Sequence, residues 1–204
     1  MPRPEDLIRR GGATLAFDTN AILGFSKAER RTVFGGFMRM CDDAELLRSG
    51  AARPLPISLV VPSLVRMEGL HDLRVDRRTK PFDGNKAAED LRSKNVRVVA
   101  FDEDAAINAS AALHRWFPSH EDWQTAKRDR CLEILGLPSA AAPGQAGLAS
   151  LDWAIAAQAE AEGWILVTAD TGAEFRKVSL KLTKNDLRHL LDELLRERNL
   201  ESSP

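Results

Sequence analysis

Short apolar runs alternate with longer stretches whose apolar positions recur at helical spacing, and this alternation predicts most of the elements. Thr14–Phe17 is a brief β-compatible run ending at Asp18, and Asp18-Thr19-Asn20 supplies capping residues for a helix. Lys27–Leu47 places Val33, Phe34, Phe37, Met38, Cys41 and Leu46 close to helical periodicity, with Gly35-Gly36 a local weakness. Pro54 and Pro56 precede a compact apolar strand, Ile57–Val61, after which Ser63 caps a helix through Leu73. Arg74–Asn85 is polar and basic and reads as a loop, Lys86–Lys94 as a short helix, and Val96–Phe101 as a strand. Two helices follow, Asp104–Trp116 and one capped by Ser119 that runs through Leu135. Gly136–Gly147, with its prolines, glycines and small residues, is a connector. Ser150–Glu162 is an amphipathic helix with Leu151, Ala154, Ile155 and Ala159 on one side, closed by Gly163. Trp164–Thr168 is a continuous apolar strand, Val178–Leu182 a weaker one, and Lys184–Leu200 a charged closing helix.

Strands that alternate with helices favour an α/β fold with one parallel sheet and helices on both faces. The unbroken apolar runs at 57–61 and 164–168 suit strands covered on both sides. In such sheets, ligands gather at the carboxyl ends of the strands. Asp18 and Asp170 fall at those ends, and helices carrying Glu68 and Asp152 can reach the same edge.

The composition adds bounds. The 204 residues are enough for one domain with a sizeable core. There is no apolar run near membrane-spanning length, so no membrane partner is expected. The N-terminal residues lack the apolar core of a secretory signal. Cys41 and Cys131 show no metal-ligand spacing, and a reduced, cytoplasmic setting is expected. Lys plus Arg total 29 and Asp plus Glu total 30, so any nucleic-acid partner must be met by a local patch. His71, His114, His120 and His189 have no ligand or triad spacing and receive no catalytic role.

Carboxylates brought close raise one another's pKa. A fold that collects several at strand ends usually offsets the repulsion with a divalent cation. Oxygen donors of this kind suit Mg²⁺ or Mn²⁺.

Four segments in order, Phe17-Asp18-Thr19-Asn20, Pro62–Glu68, Leu151–Ala157 and Ile165–Asp170 followed by Glu174-Phe175, resemble the PIN-domain nucleases. The resemblance covers roughly residues 13–182. It implies a single parallel-sheet domain, with 1–12 an N-terminal extension and 183–204 a C-terminal helix and tail. It also implies Mg²⁺- or Mn²⁺-dependent phosphodiester hydrolysis, with RNA as substrate. Many bacterial members are toxins held by an antitoxin protein, and many are homodimers. By this likeness Asp18, Asp152 and Asp170 are the metal ligands, and Glu68 completes the catalytic acids. Thr19, Asn20 and Thr168 support them by hydrogen bonding to the carboxylates or the scissile phosphate.

The match is incomplete. The acid that many members carry two residues after the fourth one is here Gly172, which puts a second metal in question; Glu174 is the candidate substitute. The segment Asp102–Gly147 is longer than in compact members. Arg74, Arg77, Arg78 and Lys80 read equally as a solvated loop and as an RNA-binding stretch, while Lys127–Arg130 reads as a solvated helix face. Trp116, Phe117 and Trp123 read better as core than as base-stacking platforms. Each acid also has a bland role: Asp18 as an N-cap, Glu68 as a solvated helix carboxylate, Asp152 as a first-turn acid, Asp170 as a turn residue, Glu174 as a surface acid. Two other functions stay open. One is a phosphatase with Asp18 as nucleophile, which Asn20 and the lack of a placed lysine disfavour. The other is a catalytically inactive, nuclease-like module that binds RNA or protein.

Overall fold

The computed structural model describes residues 2–23, 27–49, 54–75, 83–136 and 151–201, with 23, 27–35, 72–75, 135 and 199–201 described by backbone alone. The chain divides into two compact units. The first comprises Met1–Ala100, Gly163–Ala169 and Leu180–Pro204, and the second Phe101–Glu162 and Asp170–Ser179.

The first unit holds a sheet of five parallel strands: β1 (Thr14–Phe17), β2 (Ser58–Pro62), β3 (Val96–Val99), β4 (Ile165–Val167) and β5 (Lys181–Leu182), in the order β3-β2-β1-β4-β5. The protein is therefore α/β with a parallel sheet. β1 is central, pairing Leu15 with Leu59 of β2 and with Ile165 of β4. Leu15, Ala16, Phe17, Val60, Val61, Leu166 and Val167 are all buried, as unbroken apolar strands require. The strand order reverses between β1 and β4. In doubly wound sheets that reversal opens the crevice where ligands bind, outside the carboxyl ends.

Six helices belong to this unit: α1 (Pro4–Arg10), α2 (Thr19–Leu23), α3 (Lys27–Ser49), α4 (Ser63–Val75), α5 (Gly84–Ser93) and α9 (Lys184–Glu201). α1 was not anticipated, although its first turn carries Pro4, Glu5 and Asp6, its last turn Arg9 and Arg10, and Gly11 follows at φ 80°. Those are the termini that the helix dipole and the N-terminal preference for proline favour. A Cβ at Gly11 would lie 2.8 Å from Pro56 Cδ, so glycine is needed there for packing as well as for φ. α3 runs through Gly35-Gly36 without interruption, and its buried face is Phe37, Met40, Cys41, Ala44 and Leu47. Leu46, expected on that face, is 56% exposed. α3 and α9 pack together. α5 starts earlier than expected because Asp83 accepts from the amides of Asn85 and Lys86. β5 is shorter than the expected strand, since Ser179 leaves the sheet to bind Glu160 through its amide and hydroxyl at 2.8 Å.

The second unit contains α6 (Glu103–Trp116), α7 (His120–Leu135), α8 (Leu151–Ala161) and a 3₁₀ turn, Phe175–Lys177. Asp102 caps α6 and Ser119 caps α7, each through its side chain to a backbone amide three residues on. α6 and α8 meet through Ala109, Ala112 and Ala157. α8 is not amphipathic: Trp153 and Ile155–Ala159 are buried, while Leu151 is 41% exposed. Trp116, Phe117 and Trp123 pack around the buried Trp153 ring at centroid distances of 6.5, 5.1 and 5.5 Å. No helix among the described residues is long and apolar enough to cross a membrane.

Candidate metal centre

Asp18 follows β1 and is 4% exposed. A buried carboxylate is tolerable only if donors replace its water. Three do. The Thr19 amide donates to Oδ1 at 2.7 Å, and the Asn20 side-chain amide and the Thr168 hydroxyl donate to Oδ2 at 2.6 and 2.7 Å. The second Asn20 N–H reaches Thr168 Oγ1 at 3.1 Å, and Asn20 Oδ1 accepts from the Ala169 amide at 2.9 Å. Thr168 and Ala169 follow β4 directly, and the Asp18 amide donates to Val167 O at 3.0 Å. Asn20 thus joins the ends of β1 and β4 where the strand order reverses. The Asp18 carbonyl also accepts from the amides of Ala21 and Ile22, starting α2. The backbone of Asp18 therefore does serve as a cap, while its side chain is directed to β4.

Glu68, on α4, is half-buried and accepts from the Thr19 hydroxyl at 2.6 Å. The first unit therefore brings together Asp18, Thr19, Asn20, Glu68 and Thr168. Arg74 lies in α4 where only backbone is described, and Arg77, Arg78 and Lys80 lie outside the described residues.

In the second unit, Asp152 stands in the first turn of α8 and Asp170 opens the turn that leads to the 3₁₀ segment. Asp170 Oδ1 accepts from the Gly172 amide at 2.7 Å. Glu174 is not a surface acid: it is fully buried, and its Oε1 accepts from Arg130 Nε at 2.8 Å. The same guanidinium faces Asp152 at 3.6 Å and Glu133 at 3.2 Å. Arg130, with a side chain only 14% exposed, is not part of a solvated face. Burial pulls its pKa down, but Glu174 and Glu133 pull harder, and the net shift is upward. The one cue to it in the sequence is Glu133, three residues on along the same helix face.

The donors fit a hard dication in kind, since every candidate ligand is a carboxylate oxygen. Among the described residues, no group of three or more His, Cys, Asp or Glu side chains is already gathered to hold one.

No protein-family model matches the chain, and no curated protein matches it. Solved structures do. A VapBC2 structure from Rickettsia felis, bound to a DNA fragment from its promoter, is 13% identical over 83% of this chain and 98% of that chain, with a TM-score of 0.44. A DNA-bound VapBC structure from Salmonella typhimurium is 15% identical over 84% of this chain and 98% of that one, with a TM-score of 0.43.

Proposed function

We propose that the chain is a PIN-type, metal-dependent endoribonuclease. The observation that carries the reading is Asp18: a buried carboxylate at the strand-order reversal, whose partners are all donors and which therefore stands ready as an anion. A helix cap alone needs only the carbonyl and one amide contact. The further links from Asp18 to Asn20 and Thr168 fix its orientation toward the strand ends.

In this proposal Asp18, Asp152 and Asp170 hold Mg²⁺ or Mn²⁺, and Glu68 completes the acidic set. When bound, the ion supplies a water of lowered pKa and a counter-charge for the phosphoryl oxygens. Asn20 and Thr168 keep both Asp18 oxygens oriented, and Thr19 ties Glu68 to the same turn. Arg74, Arg77, Arg78 and Lys80 are the proposed contacts to the RNA backbone. An antitoxin protein, homodimer formation and cytoplasmic residence belong to the same proposal and rest on the motif resemblance.

Asp152 lying against Arg130 favours a second reading, a nuclease-like module that binds RNA or protein without cutting it. Cleavage of a labelled RNA by the purified chain with Mn²⁺ separates the two. Activity that vanishes in a folded Asp18→Asn variant supports the nuclease. An intact RNA at high enzyme concentration, with Mn²⁺ present, refutes it.

A further inference from the structure

Arg130 touches three carboxylates on unequal terms. Its 2.8 Å contact with Glu174 is a charge-assisted hydrogen bond to a fully buried group. Its 3.6 Å contact with Asp152 is longer than a hydrogen bond, and the Asp152 side chain is 28% exposed. Glu133, 3.2 Å away, is 45% exposed and sits at the rim.

We infer that Arg130 is a resident counter-ion that sorts the acids of the second unit: it locks Glu174 into a structural pair and leaves Asp152 free to be drawn to a dication. The inference rests on the metal-dependent reading above and names the residue that regulates its ligand set.

Gly172 supports it independently. A Cβ at that position would lie 3.0 Å from Arg130 Nη2, 3.0 Å from Glu174 Oε2 and 3.1 Å from Arg130 Cζ. The space that an acidic side chain at 172 would enter is thus held by the guanidinium and its partner. A metal taking Glu174 would have to strip a buried carboxylate from its cation and leave the guanidinium with its strongest partner removed, which is costly on both sides. Asp152 can be given up at far lower cost, because it is partly hydrated and only loosely held. Arg130 therefore competes with the metal for Asp152, excludes Glu174 as a ligand and stands in for a second ion.

Mn²⁺ titrations of the full chain, followed by calorimetry, test this. Wild type should bind one Mn²⁺ per chain. Glu174→Gln should change the affinity by no more than about threefold, whereas a lost ligand or its support costs about tenfold or more. Removing Arg130 alone strands buried Glu174, so the informative variant is Arg130→Met with Glu174→Gln. With its competing cation gone, Asp152 should give Mn²⁺ binding about tenfold tighter than wild type, an increase that a structural role alone would not produce.

Melting in EDTA gives a readout without metal. Arg130→Met and Glu174→Gln should each lower the melting temperature, and the double variant should melt at least about 4 °C above the sum of the single losses. Two ions per wild-type chain, a tenfold loss in Glu174→Gln, an unchanged or weaker affinity in the double variant, or additive melting shifts would each overturn the inference. Any of these alongside intact Mn²⁺-dependent RNA cleavage leaves the nuclease reading standing. Absence of both Mn²⁺ binding and cleavage in every variant overturns the two together.

Discussion

The Thr168 hydroxyl donates to Asp18 Oδ2 at 2.7 Å across 150 positions of sequence. Thr168 is 1% exposed and Asp18 is 4% exposed, so water cannot take the place of that donor. Thr168 Oγ1 also lies 3.4 Å from Asn20 Oδ1, but a hydroxyl has one proton, and the short contact to the charged oxygen claims it.

Thr168→Val keeps the shape and removes the proton. A hydrogen bond to a charged group contributes about 1.5–3 kcal/mol, so the variant should unfold more easily by about that amount in urea. RNA cleavage should fall as well, because Asp18 loses one of its two orienting side chains. Asp18→Asn places an amide among three donors, and should also be less stable than wild type while losing cleavage entirely. An Asp18→Asn protein as stable as wild type would mean that the donors do not depend on the charge.

Asp43 gives a pH signature. Its pKa is raised, first by burial and then by Asp192 of α9, with Asp42 adding to it and Arg39 and Arg188 opposing. The folded chain therefore holds this proton at pH values where the unfolded chain has already released it. By linkage, the Asp43 contribution disfavours folding at neutral pH and is relieved as pH falls from above the folded value to the ordinary 3.8. Asp43→Asn should raise the melting temperature at pH 7, and the gain should shrink on acidification. A gain that persists unchanged below pH 4 would contradict the assignment.

The N-terminal helix contributes through its apolar contact more than through its charges. Ile8 is fully buried, whereas Arg9 meets Glu193 and Glu197 at the surface, with side-chain exposures of 35, 58 and 50%. Ile8→Ala should cost about 2–5 kcal/mol. Arg9→Ala should cost about 1 kcal/mol or less, with the effect fading as salt is added. Equal destabilisation by the two, measured by urea unfolding at low and high salt, would reverse that ranking.

What could be read from the sequence was local. The strand at 14–17, the Ser119 cap and the positive φ of Gly163 follow from neighbours in the chain, and the structure has all three. Asp18 was legible as a strand-end acid, but not its bond to Thr168. The misreadings are places where a distant partner decides. Glu174 looks like any surface acid until Arg130, 44 residues away, is seen to neutralise it. Arg130 sits in a charged run whose neighbours Arg128 and Asp129 are indeed more open to solvent, at 39 and 52%. Leu46 obeys helical spacing, yet the buried face is centred on Phe37, Met40 and Cys41. α1 was missed for another reason: seven residues are too few for apolar periodicity, and only the capping pattern marks them.

Both cysteines are free, but their reactivity should differ sharply. Cys41 is 1% exposed, and burial, with Asp42 adding and Lys94 opposing, pushes its thiol up to about 12. The thiolate is the reactive form, so Cys41 should resist iodoacetamide in the native protein at pH 8. Cys131 is half-buried and should be alkylated first. Mass spectrometry of partly labelled protein would show the order, and early modification of Cys41 would mean that α3 opens readily.

Glu68 and Thr19 supply the last test, because their 2.6 Å hydrogen bond makes them one functional unit. Thr19 sits in the first turn of α2 and Glu68 on α4, so the bond sets how the Glu68 carboxylate is held relative to the turn that carries Asp18. If Glu68 acts in cleavage only when so oriented, Thr19→Val should reproduce much of the loss caused by Glu68→Gln. The double variant should then be little worse than Glu68→Gln alone, as residues that act together are strongly non-additive. The expected single losses are of the order of 10–100-fold in kcat/KM, in the range seen when a residue orienting an active group is removed. Thr19→Ser retains the hydroxyl and should recover most of the activity. Strictly multiplicative losses would separate the two residues, leaving Thr19 as a helix-start residue and Glu68 as an acid that acts without it.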